Sequence, residues 1–396
     1  MRLSRSAAAL AATAVMLGSA APAVAAPSPS PSTPSGLYGT KDPTYDGVWR
    51  QSLALLAQDT VGVKPADRAV EWLLGQQCAN GAFAPFRADP GEACDAKVMV
   101  DTNQTSAAVQ ALAALGGHDA ATGKAVDWLK SVQNADGGWG YAPGGASDAN
   151  STSVVIGALT AVGERPDDVR KGGKSPYDAL LKLALPCDEG GGFAFQPDKK
   201  GTLAANADAT AAAVVGALGK GLAAAPGKKA PADCADGDLT PRQAAANGAS
   251  YLADALAKNG HLTSALAGSA DRPDHGNTAD AVVALAAQGG AGQAAKAWRW
   301  LERNSAKWAQ QNGPAAYAQL IFAAHATGVD PTDFGGGDLV ELLNATGRAP
   351  KSTPYQGSAR DEATNNPTYE VWWFVGACLV AGIGIGFLLS GRRRQP

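Results

Sequence analysis

The strongest constraint on the fold is a short helical segment that recurs along the chain. Residues 68–73 read RAVEWL, residues 124–129 read KAVDWL and residues 296–301 read KAWRWL. The first two copies are each followed by a glutamine and by a turn from glycine to an aromatic residue, at 81–83 and 137–139. Recurring segments of this kind predict a repeat architecture, in which each unit buries its apolar face against its neighbours.

A second motif alternates with the first and predicts helix starts. It places Asx residues two and four positions before a threonine, in residues 101–105, 148–152 and 206–210, with a looser copy at 274–278. A run of small apolar residues follows each copy. Asx and Thr side chains accept hydrogen bonds from the free N–H groups of a first helical turn. Each motif is therefore interpreted as the start of a helix.

The two kinds of helix differ in their faces. The tryptophan-containing helices are amphipathic, whereas the helices that follow the Asx motifs are apolar almost all round and must be buried. The buried helices are expected to start near 48, 103, 150, 206, 276 and 313, and the amphipathic ones near 66, 122, 176, 242, 293 and 337. Six of each predict an all-α domain, an α6/α6 toroid of two concentric rings, over residues 45–346.

The repeat resembles that of a known superfamily. Residues 124–139, with Trp-Leu followed by Gln and by Gly-Gly-Trp, resemble the QW repeat of squalene and terpenoid cyclases. The same α/α toroid is used by protein prenyltransferase β subunits, by complement thioester domains and by cobalamin carriers of the transcobalamin and intrinsic-factor type. The resemblance covers residues 45–345 and implies the fold. It implies little about function, since these relatives share the fold but have unrelated functions.

The amino-terminal residues are typical of a secretory signal. Arg2 and Arg5 precede an apolar run from 7 to 21, and residues 23–25 have the small-x-small pattern of a cleavage site. We therefore expect a signal peptide at 1–25, followed by a Pro/Ser-rich linker at 26–44.

The carboxyl-terminal residues predict a membrane anchor. Residues 371–390 carry no charge, and twenty residues are enough to span roughly 30 Å of hydrocarbon as a helix. Arginines at 392–394 follow the span, and the positive-inside rule places them in the cytoplasm. We expect a stalk at 347–370, a transmembrane helix at 371–390 and a cytoplasmic tail at 391–396. This predicts a single-pass plasma-membrane protein with its toroid outside the cell.

Four cysteines outside the predicted span suit an exported protein with disulfides. They are Cys78, Cys94, Cys187 and Cys234, and three pairings are possible. The local pairings, Cys78 with Cys94 and Cys187 with Cys234, are favoured because each would close a single inter-helix loop. No C-x-x-C spacing supports a metal site. The net charge of −3, without a basic patch, argues against nucleic acid as a partner.

The motifs of the catalytic relatives are missing from the sequence. There is no D-x-D-D acid motif of squalene-type cyclases, and no Gly-Cys-Gly-Glu-Gln motif of thioester domains. His118, His261 and His325 stand alone, and His275 lies in a helix-start motif without a Ser or Cys partner. A zinc site of the prenyltransferase kind would need a cysteine ligand, and the four cysteines are expected to form disulfides. We therefore expect a protein that is not an enzyme, and the sequence names no cofactor.

The Asx motifs are the candidate binding site. Because all of them begin inner helices, they should gather at one end of the ring as a polar crown. The crown comprises Asp101, Asn103, Asp148, Asn150, Asn206, Asp208, Asp274 and Asn277. A cap needs only one Asx, so the second Asx is left free for a ligand or a neighbouring repeat. On a capping interpretation Asn150 is the cap and Asp148 is dispensable; on a binding interpretation Asp101, Asp148, Asn206 and Asp274 share one ligand.

The sequence predicts a non-catalytic protein that binds a small molecule or a partner surface protein. The cobalamin carriers give the nearest analogy, because they are secreted, disulfide-bonded toroids. They clamp their ligand with a second, β-rich domain, which this chain lacks, so a separate protein would have to supply it. Two alternatives remain open: a structural or adhesive surface protein, and an enzyme of the terpenoid-cyclase or glycan-acting kind. The glycan enzyme would use Asp101 with Asp208 or Asp274 as its carboxylates.

Overall fold

The computed structural model describes residues 35–95, 97–228, 234–264 and 272–354. These residues form thirteen α-helices and one two-stranded hairpin. The apolar helices are α1 (Gly47–Thr60), α3 (Thr102–Leu115), α5 (Ala149–Ala161), α7 (Ala207–Ala217), α9 (His275–Gln288) and α12 (Pro314–Thr327). The helices that alternate with them are α2 (Asp67–Gly75), α4 (Asp119–Ser131), α6 (Pro176–Leu181), α8 (Pro241–Ala257), α10 (Ala291–Asn304), α11 (Ala306–Asn312) and α13 (Leu339–Asn344).

The helices form two concentric rings. In the inner ring α1 packs against α3, α3 against α5, α5 against α7, α7 against α9, and α9 against α12, which returns to α1. Each inner helix also contacts the outer helix that follows it: α2, α4, α6, α8, α10 and α13 in turn. The prediction of an α/α toroid of two rings is confirmed, and every predicted helix lies within three residues of an observed helix start. The short helix α11, between α10 and α12, was not predicted. The short hairpin pairs β1 (Leu262–Thr263) with β2 (Pro273–Asp274) just before α9.

The two sequence motifs contact each other, which explains why they alternate. The backbone N–H of Trp139, in the turn after α4, donates to Thr152 Oγ1 at 3.1 Å. The same bond joins Phe83 to Thr105 at 3.0 Å and Phe193 to Thr210 at 2.9 Å. Fixed hydrogen bonds of this kind hold the end of each outer helix against the start of the next inner helix.

The glycines of these turns are required by close approach to the next outer helix. Gly137 has φ +91°, and a Cβ there would lie 2.2 Å from the carbonyl oxygen of Ser175. Gly81 has φ +97°, and a Cβ there would lie 2.1 Å from the carbonyl oxygen of Lys124. Both the left-handed backbone and the missing side chain are therefore needed. Trp139, which follows one of these turns, is fully buried and donates from Nε1 to Leu129 O at 2.7 Å.

Both favoured disulfides are present. Cys78 bonds to Cys94 within the connection between α2 and α3, as predicted. Cys187 bonds to Cys234, but this bridge does not close a single inter-helix loop. Cys187 lies before α7 and Cys234 lies after it, so the bridge spans an inner helix and joins the two connections that flank it. The prediction that this pair closes a single inter-helix loop is wrong, because the inner helix α7 lies between the two cysteines in the chain.

The predicted signal peptide at 1–25 and transmembrane helix at 371–390 lie outside the described residues. Within the described part of the chain, no helix combines the length and apolar character needed to cross a membrane.

Candidate functional site

A cavity of about 230 Å³ lies at the centre of the inner ring. Every inner helix contributes to its wall, and polar side chains border it near the helix starts. These polar residues are Asn103, Asn150, Ser153, Asp208, Asp280 and Gln319. The remaining wall is mainly apolar, with Trp49 and Leu53 from α1, Val215 from α7, Val283 from α9 and Phe322 from α12. The toroid thus encloses an apolar chamber with a polar end.

Four of the eight predicted crown residues are helix caps. The side chains of Asp101 and Asp148 accept hydrogen bonds from the N–H groups of Gln104 and Ser151, each at 2.7 Å. The other two bonds run from Ala209 N–H to Asn206 at 2.9 Å and from Asn277 N–H to Asp274 at 3.0 Å. Because each cap binds the N–H group three residues later, the first Asx of each motif is the cap.

The assignment of Asn150 as the cap and Asp148 as the dispensable residue is therefore wrong. Asp148 caps α5 and is 2% exposed, whereas Asn150 borders the cavity. Asp101 is likewise buried, at 3% exposure. Burial raises the pKa of both carboxyl groups above the usual range. These two side chains support their helices and are not among the residues that line the cavity.

The second Asx of three motifs lines the cavity: Asn103, Asn150 and Asp208. Asn150 Nδ2 donates to Asp208 Oδ2 at 3.0 Å. Burial raises the pKa of Asp208, and the nearby Asp274 carboxylate raises it further. Asn277, from the looser copy, instead donates from Nδ2 to its own cap, Asp274 Oδ2, at 2.9 Å. The predicted crown is thus divided between capping residues and cavity residues.

The sequence analysis missed Asp280, the most perturbed acid in the cavity. This carboxyl borders the cavity, and Gln319 Nε2 donates to its two oxygens at 3.2 and 3.1 Å. Burial raises the pKa of Asp280 to about 7, with a contribution from the negative charge of Asp208. The signal was present in the sequence, because Asp280 is the sole charged residue between Thr278 and Gln288. A lone acid within a buried apolar helix is a candidate functional group.

The connection after α7 closes one end of the cavity. Leu222 N–H donates to Gln110 Oε1 at 2.8 Å, and Gln110 Nε2 donates to Val154 O at 3.1 Å. A Cβ on Gly157 would lie 2.8 Å from the Cα of Gly221, so the two backbones are in close contact. Residues 220–222 therefore seal the chamber at the end where α7 terminates.

Lys220 is the cation that borders the cavity in the described part of the chain. Its Nζ donates to the carbonyl oxygens of Ala225 at 2.7 Å and Ala287 at 3.0 Å. Burial lowers the pKa of Lys220. The described residues contain no group of three or more His, Cys, Asp or Glu side chains arranged to hold a metal ion.

A second, larger depression lies between α12, α13 and the end of α1. Its volume is about 1020 Å³, and Thr60, His325, Asp338 and Glu341 are among its lining residues. It is more open than the central cavity. None of α3, α5, α7 and α9 contributes to it. The central cavity is therefore the better candidate site, since small-molecule sites enclose most of their ligand.

Comparison with known proteins agrees with the helical architecture. Residues 43–215 match the family model of the prenyltransferase alpha-alpha toroid domain. A segment of 78 residues is 38% identical to a drimenyl diphosphate synthase of Streptantibioticus cattleyicolor. That segment is 20% of this chain and 13% of the synthase, so the match spans a small part of the relative.

Two solved structures are similar to this chain. One is an ent-copalyl diphosphate synthase from Streptomyces platensis, with a TM-score of 0.47 and 17% identity over 71% of this chain and 50% of that one. The other is a type II terpene cyclase from Scytonema, with a TM-score of 0.47 and 12% identity over 71% of this chain and 88% of that one. The family match over residues 43–215 agrees with the two rings of helices described above, so this chain has an α/α-toroid fold.

Proposed function

We propose that this protein is a membrane-anchored extracellular receptor that holds a small amphipathic molecule in the central cavity of its toroid. The observation that carries the proposal is the cavity itself, which all six inner helices border and which has apolar walls and one polar end. Ligand sites have this composition, with a few placed polar groups in an apolar chamber. The volume of about 230 Å³ lies below the range of roughly 300–1,000 Å³ that is usual for drug-sized ligands.

The volume also limits the ligand class. A corrinoid is larger than a drug-sized molecule and would rest over the end of the ring rather than inside it. If the cobalamin-carrier analogy applies, a partner surface protein would have to cover that end. A compact molecule, or the end of a larger one, is the occupant that the enclosed volume favours.

Binding is tested by filling the cavity. Ala212 borders the chamber, and Ala212→Phe would place a ring in the empty space while leaving every polar group in place. The matched control is Ala120→Phe, on the exposed face of α4. A screen of compact amphipathic compounds should find ligands that raise the melting temperature of the wild type and of the control, but not of Ala212→Phe. Equal shifts in both variants, or no ligand at all, would overturn the proposal.

A second candidate function is proton-initiated terpenoid cyclisation, and Asp280 is the observation that favours it. A carboxyl that stays protonated inside an apolar chamber is positioned as a proton donor. Its raised pKa argues in the other direction, because protonating an alkene needs a strong acid and Asp280 is a weaker acid than an ordinary aspartate. The absence of a D-x-D-D motif is a second argument against cyclase activity. Ligand binding is therefore better supported than terpenoid cyclisation.

The enzyme alternative has its own assay. Purified protein is incubated with a linear polyprenyl diphosphate in deuterated water, and the products are analysed by mass spectrometry. A cyclase would form a cyclised product carrying one deuterium from solvent, and Asp280→Asn would abolish it. A wild-type protein that leaves the substrate unchanged supports the binding function.

A further inference from the structure

Most side-chain N–H donors around the cavity are already hydrogen-bonded to acceptors of the protein. Gln319 Nε2 donates to the Asp280 carboxyl group, and Asn150 Nδ2 donates to Asp208. Lys220 Nζ donates to two backbone carbonyl groups and forms no ion pair with either carboxylate. Asn103 is the exception, since the amide nitrogen of that side chain has no acceptor within the described ranges. Most donors around the cavity are therefore already used, and free N–H groups remain at Asn103.

Acceptor atoms, by contrast, remain free. Asn150 Oδ1 has no hydrogen-bond partner among the described residues, although it is shielded from solvent. Ser153 also lines the cavity; it is 5% exposed, and its hydroxyl has no partner within the same ranges. The carboxyl oxygens of Asp208 and Asp280 each retain further lone pairs, since a carboxylate can accept about four hydrogen bonds. The Asn150 oxygen and the Ser153 hydroxyl have almost no accessible surface, so the acceptors that favour a donating ligand are the carboxyl groups of Asp208 and Asp280.

Two carboxyl groups and one ammonium group line the chamber, so its formal charge is negative when both acids ionise. The groups that act electrostatically on Asp280 are Asp208 from α7 and Asp274 at the start of α9, both acidic, while Gln319 from α12 is neutral. Lys220 borders the same space but is held by carbonyl groups. Ionising both cavity aspartates without a partner would leave uncompensated buried charge, which is strongly unfavourable. A positive charge in the cavity would remove that penalty.

The apolar wall suits an organic cation rather than a metal ion. Trp49 and Phe322 present aromatic groups at the cavity surface, and Leu53, Val215 and Val283 line the remainder. Aromatic faces attract ammonium groups, and aliphatic walls favour a hydrocarbon body.

We propose that the cavity selects organic monocations, specifically a primary ammonium group attached to a compact apolar body. The ammonium group donates to Asp208 and Asp280, and the body packs against Trp49 and Phe322. This inference rests on the proposed binding function and names its ligand class. It assigns Asp280 the role of counter-ion rather than that of an acid catalyst.

The test uses three probes of nearly equal size that differ in charge: phenethylamine, 2-phenylethanol and phenylacetate. Each is titrated by calorimetry at pH 8 into the purified full-length protein. Phenethylamine should bind at least about tenfold more tightly than the alcohol, which corresponds to one charge-assisted hydrogen bond, and phenylacetate should bind most weakly. Asp280→Asn should remove most of this preference for the amine while leaving alcohol binding nearly unchanged. Asp127→Asn, at an exposed position on α4, is the matched control and should change neither.

The outcomes separate the two proposals. If the alcohol binds as tightly as the amine, or if Asp280→Asn weakens both equally, the cation inference fails while the cavity remains a binding site. If no probe binds although the thermal screen finds other ligands, the cation inference fails alone. If Ala212→Phe binds the probes as the wild type does, the proposed function fails and the inference fails with it. Ala212→Phe keeps both carboxylates, so it distinguishes cavity binding from attraction to surface charge.

Discussion

Replacing Asp280 with asparagine should change how the stability of this protein depends on pH. The folded-state pKa of Asp280 is raised from 3.8 to about 7, because the carboxyl is buried and lies near Asp208. Between these values the folded state holds a proton that the unfolded state has lost, so stability falls as pH rises. At 1.36 kcal/mol per unit, the total is roughly 4 kcal/mol, most of it lost between pH 4 and pH 7. Asparagine keeps the shape and cannot ionise.

Urea unfolding at pH 5 and pH 8 measures this effect. The wild type should lose roughly 3 kcal/mol more stability than Asp280→Asn between these two pH values, and Asp127→Asn should follow the wild type. Asp101 and Asp148 also have raised pKa values and add to the slope, but they remain in both proteins and cancel in the difference. Asp208 also remains, so the difference reports Asp280 together with its interaction with Asp208. Parallel pH profiles for the wild type and Asp280→Asn would refute the argument that this carboxyl is buried and neutral.

Three further predictions concern caps, disulfides and topology. Asp101→Ala should lower stability by about 1–2 kcal/mol because it removes the cap of α3, whereas Asn103→Ala, which borders the cavity, should cost less than about 0.5 kcal/mol in chemical unfolding. Denatured but unreduced protein should expose none of its four bridged cysteines to a maleimide. Losing the Cys187–Cys234 bridge should cost about 4 kcal/mol, compared with about 3 kcal/mol for Cys78–Cys94, because it closes a longer loop. A reporter active only outside the cytoplasm should work when fused after Thr346 and stay silent after Pro396; the reverse would overturn the orientation.

The helix positions could be predicted from the sequence because their signals are local. Asx residues, threonines and Gly-aromatic turns mark where each helix begins, and a change from amphipathic to wholly apolar helices separates the rings. Within the pair Asp148 and Asn150, the cap was assigned to the wrong residue. An N-cap binds the N–H group three residues later, and that spacing selects Asp148 rather than Asn150.

The cavity could not be predicted in the same way, because it depends on contacts between distant residues. Asp280 and Gln319 lie on different helices, and nothing in the sequence pairs them. Asn150 and Asp208 are 58 residues apart and meet only when the ring closes. The path of the Cys187–Cys234 bridge past α7 likewise depends on the tertiary fold.

The central claim, that the inner ring encloses a ligand site, is tested most directly by a crystal structure of the protein with the compound that gives the largest thermal shift. The account predicts electron density for that compound between Trp49, Asp208 and Asp280, inside the six inner helices. Density confined to the larger depression beside His325 and Glu341, with the central cavity empty or filled only by water, would contradict it.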